Sequence, residues 1–261
     1  MLINNLFLTL ANSQEAFFMK NLTKLIMSLI LVMAFQAHVF ASNTVHYIGF
    51  NTLNSDDKVI SAKIFDDYIH KLKPIMKKYE MSLQIFDVVH GGSEKLKADR
   101  VTIGSVKDME TFQAFFGDPE LQAILPMLNN ALREHQVIFT SNSMEKPLTS
   151  KAHTLLSLNW LKGDDKQKET AIKAMEQSNK KIQHTFKNYG VNQLATTMGL
   201  MSNKGLGQEV QPTQAPQQLE LWSMRDAHGF FDNKEVIAST QETKKYIARA
   251  VKFWIKERSY Q

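Results

Sequence analysis

The 261 residues contain no cysteine, which removes disulfides, thiol nucleophiles and thiolate metal sites together. Catalytic signatures are missing too. No GxSxG elbow, Walker loop, HExxH pair or EF-hand loop occurs, so hydrolase, nucleotide-binding and common metal-site readings have no motif behind them. His46, His70, His90, His135, His153, His184 and His228 are scattered without i, i+4 pairing, the spacing that places two ligands on one helix face. No metal is expected. Proline is sparse, with six residues in the whole chain, so element boundaries have to be read mainly from polar and glycine-bearing stretches.

Long apolar runs are absent except for one, Leu25 to Phe35. As a helix it would rise about 16 Å, short of the roughly 30 Å of a bilayer core. Lys20 and Lys24 precede it and Val39-Phe40-Ala41 follows it, the order of a secretory signal running from Met19 to a cut after Ala41. Residues 1–18 then read as an upstream start. The expected location is periplasmic or extracellular, with no stable membrane span after cleavage.

Charge of one sign is not in large excess. Without residues 1–41 the chain keeps a net charge of about +4, and its lysines (Lys77-Lys78, Lys180-Lys181, Lys244-Lys245) are interspersed with acids along amphipathic stretches. That pattern describes solvated helix faces. No nucleic-acid partner is expected.

What is present is an internal repeat. His46 to Lys58 (HYIGFNTLNSDDK) lines up with Thr154 to Lys166 (TLLSLNWLKGDDK), placing Asn51 on Asn159 and Asp56-Asp57-Lys58 on Asp164-Asp165-Lys166. Tyr79 then meets Tyr189, Ser105 to Asp108 (SVKD) meets Ser223 to Asp226 (SMRD), and Phe115-Phe116 meets Phe230-Phe231. The common order makes this a duplication.

Each copy reads β, α, β, β, α, β. In the first, Thr44 to Asn51 alternates as a strand, and Ile60, Ile64, Tyr68, Leu72, Ile75 and Tyr79 recur at helical spacing, with Pro74 expected to kink that helix or begin its last segment. Strands follow at 82–89, 100–106 and 136–141, with Gly91-Gly92 opening a polar loop. The second copy repeats this with a strand at 154–160, one helix at 168–189, and strands at 193–200, 219–224 and 251–257. Residues 202–218 are expected to form a long flexible loop. The first repeat takes residues 42–141, an exposed linker 142–150, and the second repeat 151–261.

Leu219 to Val236 (LELWSMRDAHGFFDNKEV), Gly91-Gly92 and the FFGDPELQ run from Phe115 resemble the dimeric α+β barrel superfamily, which includes antibiotic-biosynthesis and heme-degrading monooxygenases. The resemblance implies an α+β fold in which tandem ferredoxin-like βαββαβ repeats pack sheet to sheet as an intramolecular dimeric α/β barrel. The heme-degrading branch uses an Asn on the first strand, a Trp on the third and a His on the second helix. Asn159 and Trp222 match the first two, but Val236 to Gln241 holds no histidine and His228 lies too early. In the first copy Asn51 is kept and Gly104 stands where Trp222 does. No cofactor is therefore expected.

The candidate pocket residues are Asn159, Trp222, Asn51 and Tyr47, the last sharing strand parity with Asn51. An amide can orient a carbonyl and a large aromatic can stack on a flat ligand. The expected function is binding of a small apolar or aromatic ligand, or of a protein partner, by an exported tandem barrel. The alternative is a cofactor-independent monooxygenase of the antibiotic-biosynthesis type.

Overall fold

A computed structural model describes residues 44–54, 56–146, 152–205 and 211–258. The expected export signal, residues 1–18 and residues 147–150 of the expected linker lie outside the described residues. The first copy runs β1 (Val45–Leu53), α1 (Lys58–Lys78), β2 (Ser82–Gly91), β3 (Arg100–Val106), α2 (Met109–Gly117), α3 (Pro119–Ala131) and β4 (Leu132–Thr140). The second runs β5 (His153–Leu161), α4 (Asp165–Lys181), α5 (Gln183–Tyr189), β6 (Asn192–Thr197), β7 (Gly199–Lys204), β8 (Gln211–Thr213), β9 (Gln218–Met224), α6 (Ala227–Asp232), α7 (Lys234–Lys244) and β10 (Ile247–Glu257).

Local chemistry accounts for the helix starts. Asp57 accepts from the amides of Val59 and Ile60 to cap α1, and Asp164 with Gln167 forms a reciprocal capping box on α4. The repeated Asp-Asp-Lys thus serves helix starts. Helix α1 runs through Pro74 to Lys78 without ending there. The single helix expected at 168–189 is two, because Ile182 leaves the helical basin (φ −103°, ψ 20°) and joins Phe186 against an aromatic cluster.

All ten strands form one antiparallel sheet in the order β6-β9-β5-β10-β2-β3-β1-β4-β7-β8. Each copy contributes the ferredoxin-like order (β4-β1-β3-β2 and β10-β5-β9-β6), and β10 pairs with β2 across the first seam. At the second seam β7 continues β6 along the chain but pairs with β4, matching Gly199 to Thr140 and Lys204 to Gln136. One nearly continuous strand therefore pairs with β9 through its first half and with β4 through its second, closing the sheet into a barrel.

The barrel interior is apolar: Ile48, Phe50, Phe86, Ile103, Ile138, Leu156, Leu158, Leu221 and Phe253 meet there. Met144, within the stretch expected as an exposed linker, is buried among them. Of the stretch expected as a flexible loop, residues 202–204 and 211–213 pair as β7 and β8. Ser202 is buried there and bonded by Gln136 Nε2 of β4 at 2.8 Å and by Thr213 Oγ1 at 2.7 Å, so these residues have a loop-like composition although their backbone is paired.

Candidate functional site

Strand residues alternate between the barrel interior and the helix layer outside it. On β9, β5 and β10 the register sorts the helix-facing side chains into three rows. Gln218, Asn159 and Ala250 make the first, Glu220, Ser157 and Lys252 the second, and Trp222, Leu155 and Trp254 the third.

The third row is aromatic and packed. Trp222 is 8% exposed, with its ring 5.6 Å from Phe186 between centroids, and Trp254 lies 6.0 Å from Phe231. At the opposite end Leu161 packs on Ala171, Met175, Tyr246 and Ile247. The apolar contacts between sheet and helices thus form two islands, with the first and second rows between them.

Those two rows carry a hydrogen-bonded chain. Asn159 Nδ2 donates to Gln218 Oε1 (3.4 Å), Gln218 Nε2 donates to Glu220 Oε1 (3.2 Å), and Gln193 Nε2 from β6 donates to the same oxygen (3.0 Å). The Trp222 side chain, next along the same face of β9, acts to lower the Glu220 pKa. Asn159 is thus bonded through Gln218 to Glu220, with Trp222 adjacent. Burial pushes the Glu220 carboxyl up to about 7, against the opposing pull of Trp222 and Lys252.

Beside this chain the helix cover is incomplete. Ala250 and Lys252 are exposed although β10 lies inside the sheet between β5 and β2. Lys252 is an exposed residue whose pKa is nevertheless lowered by desolvation, with Glu220 acting in the other direction. Exposure together with crowding marks this gap in the helix cover as the candidate ligand site.

The first copy places the same rows differently. They read Arg100, Asn51, His135; Thr102, Gly49, Val137; and Gly104, Tyr47, Phe139. Asn51 Oδ1 lies 2.7 Å from His135 Nδ1, and burial holds this imidazole down at about 4, so at neutral pH the ring N–H donates to the amide oxygen. Tyr47, its hydroxyl pKa raised by burial, lies over Gly104 and packs on Phe112. One continuous apolar cluster from Leu53, Ile85 and Leu132 to Phe65, Ile69, Leu72 and Leu121 joins sheet and helices. Gly49 is closed over, since a β-carbon there would lie 2.4 Å from Thr102 Oγ1.

Asn51 and Tyr47 thus sit in a packed layer of the first copy, apart from Asn159 and Trp222 beside the second copy's gap in helix cover. Sequence reasoning missed Gln218, Glu220 and Lys252. The usable signal was parity, because Gln218, Glu220 and Trp222 alternate on the helix-facing side of one strand. Heme held as in the heme-degrading branch does not fit: α7 carries no histidine, and His228 on α6 is exposed beside Asp232. Among the described residues no helix is long and apolar enough to cross a membrane.

No family model and no curated protein sequence matches the chain. Solved structures do. A monooxygenase candidate from Fusobacterium nucleatum has a TM-score of 0.50 at 11% identity, over 84% of this chain and 94% of that one. A mutant chlorite dismutase from Candidatus Nitrospira defluvii has a TM-score of 0.50 at 9% identity, over 82% and 92%. An anthrone oxidase-like protein reaches 0.47 at 9% identity, over 84% and 93%. What is shared at these identities is the fold. It is a dimeric α+β barrel fold, built here within one polypeptide.

Proposed function

We propose that this tandem dimeric α+β barrel is an exported protein that binds a small apolar or aromatic molecule between β5, β9, β10 and the helices of the second copy. The observation that carries the reading is the buried chain Asn159–Gln218–Glu220, with Trp222 adjacent, beside the opening at Ala250 and Lys252. A closed layer would be served better by apolar contact, because buried amides and carboxyls add stability only when their bonds are complete. Beside an opening, the same groups orient a ligand while Trp222, Trp254 and Phe231 supply flat apolar surface.

Titration of tryptophan fluorescence with naphthalene, 1-naphthol and 4-methoxybenzyl alcohol tests the site. Saturable quenching weakened by Trp222→Phe and Ala250→Trp is expected. Unsaturable quenching, identical in both variants, would remove the reading. Amino-terminal sequencing of secreted protein tests export, which requires a start near Ser42.

The second reading is a cofactor-independent monooxygenase, favoured by one observation: a buried carboxylate raised to about 7 can accept a proton at neutral pH. The fold shared with a monooxygenase candidate is compatible with this reading. Oxygen uptake with a panel of phenols and quinols, lost in Glu220→Gln, would favour it over binding alone.

A further inference from the structure

Lys252 is a cation without a counter-ion in the proposed cleft. Elsewhere in the fold Arg100 meets Asp87 at 3.0 Å, Lys58 meets Asp99 at 2.9 Å and Lys204 meets Glu134 at 2.9 Å. Among the described residues Lys252 has no carboxylate at ion-pair distance. Its Nζ lies 5.3 Å from the centre of the Phe231 ring, and across the sheet the next helix-facing residues are Ser157 and then Glu220. Two inter-strand spacings, about 10 Å of backbone, separate Lys252 and Glu220, with only the small Ser157 between them on this face. Each acts electrostatically on the other across that gap.

An exposed lysine beside an aromatic face, with a buried carboxyl opposite and little side chain between, matches the requirements of a carbonyl-attacking lysine. A charged ammonium has no lone pair to attack with, and the desolvation that disfavours its charge leaves more free amine. Glu220, poised near neutrality, can both give and take a proton.

We propose that Lys252 forms an imine with a small aromatic aldehyde or ketone in the second copy's cleft, with Glu220 moving the protons. This rests on the ligand-binding reading of the same cleft. The neutral Nζ attacks the carbonyl carbon, the C–N bond forms as the carbonyl π pair moves to oxygen, and that oxygen takes the Glu220 proton. The nitrogen loses a proton to the Glu220 carboxylate. The hydroxyl then departs as water with that proton while the nitrogen lone pair closes the C=N bond. The protonated imine returns its N–H proton to the Glu220 carboxylate, so the balance is amine plus carbonyl to imine plus water, with no oxidant or reductant.

Reductive trapping tests this on the full chain. The protein is incubated with 4-methoxybenzaldehyde and cyanoborohydride, and labelled lysines are located by peptide mass mapping. Lys252 should label at least about tenfold faster than the surface lysine Lys107 at neutral pH, given its activated setting. Lys252→Arg should remove that label, and Glu220→Gln, checked by circular dichroism for folding, should slow it. Saturating 4-methoxybenzyl alcohol, which cannot form an imine, should quench the tryptophans and protect Lys252. Alcohol binding without preferential labelling of Lys252 overturns the imine and leaves the cleft standing. Failure of the alcohol to quench or protect overturns the cleft and the imine with it.

Discussion

The ring of Tyr47 lies over Gly104 in the first copy, at the register position where the second copy sets Trp222 against Leu155. The large aromatic has changed strands, from β9 in one copy to β1 in the other, and the residue opposite has shrunk to hydrogen. A β-carbon on Gly104 would stand 2.6 Å from the Tyr47 ring and 2.5 Å from the Ser82 carbonyl oxygen. Gly104→Ala should therefore destabilise the protein by about 1–3 kcal/mol through overpacking. Urea unfolding measures it, and Tyr47→Leu in the same chain should recover part of the loss.

The β2–β10 seam depends on a second glycine. Gly91 has φ +120°, and a β-carbon there would come within 2.1 Å of the Lys252 carbonyl oxygen, which the Gly92 amide already bonds at 2.8 Å. Gly91→Ala combines a forbidden backbone region with a clash against the other copy, and a loss above about 2 kcal/mol is expected. Gly117→Ala is the control, since nothing lies within 4 Å of its β-carbon. Equal unfolding midpoints for the two variants would show that the seam adds little.

Much of this architecture was legible because it leaves periodic traces. Alternation marked β1 and β5, helical spacing marked α1, and the shared Asn and Asp-Asp-Lys marked the repeat. The barrel itself was expected, but the strand that makes its second seam was not legible. In β7, Ser202 and Asn203 are buried where a strand signal expects apolar side chains, and the Ser202 hydroxyl is satisfied by Gln136 and Thr213 far along the chain. The same limit hid the candidate site. Asn159 and Trp222 stood out through a family resemblance, but Glu220 reads as an ordinary surface acid in a strand. Only the three-dimensional placement of Gln193 and Gln218 around it shows otherwise. Nor does Gly104 announce that Tyr47 has taken over the place of Trp222, because compensation between strands has no sequence spacing.

Trp222 serves packing and the polar chain at once, and two substitutions separate these roles. Trp222→Phe keeps an aromatic ring against Phe186 but removes the donor facing Glu220, for an expected loss of about 1 kcal/mol. Trp222→Ala also opens the aromatic cluster and should lose about 3–5 kcal/mol. The Phe variant should in addition raise the Glu220 pKa further, because the Trp222 hydrogen bond holds it down. Carboxyl infrared absorbance followed against pH would detect that shift, and an unchanged titration would exclude the indole as a partner.

Glu220 and His135 give stability opposite dependences on pH. Glu220 is raised by burial from its ordinary 4.5 to about 7, so the folded state binds the proton more tightly. Its stabilising contribution is full below 4.5 and is lost as pH rises toward 7. The span corresponds to a loss on the order of 3 kcal/mol. His135 is lowered by burial from 6.5 to about 4, so the unfolded chain binds the proton more tightly, and stability falls as pH drops from 6.5 toward 4. Over their shared range the two slopes oppose each other. Glu220→Gln should remove the loss on the neutral side and leave stability falling toward acid. His135→Gln should do the reverse, leaving stability falling from pH 4.5 toward 7. Urea midpoints across this range would test both, and parallel profiles for the two variants would refute the assignment of these groups.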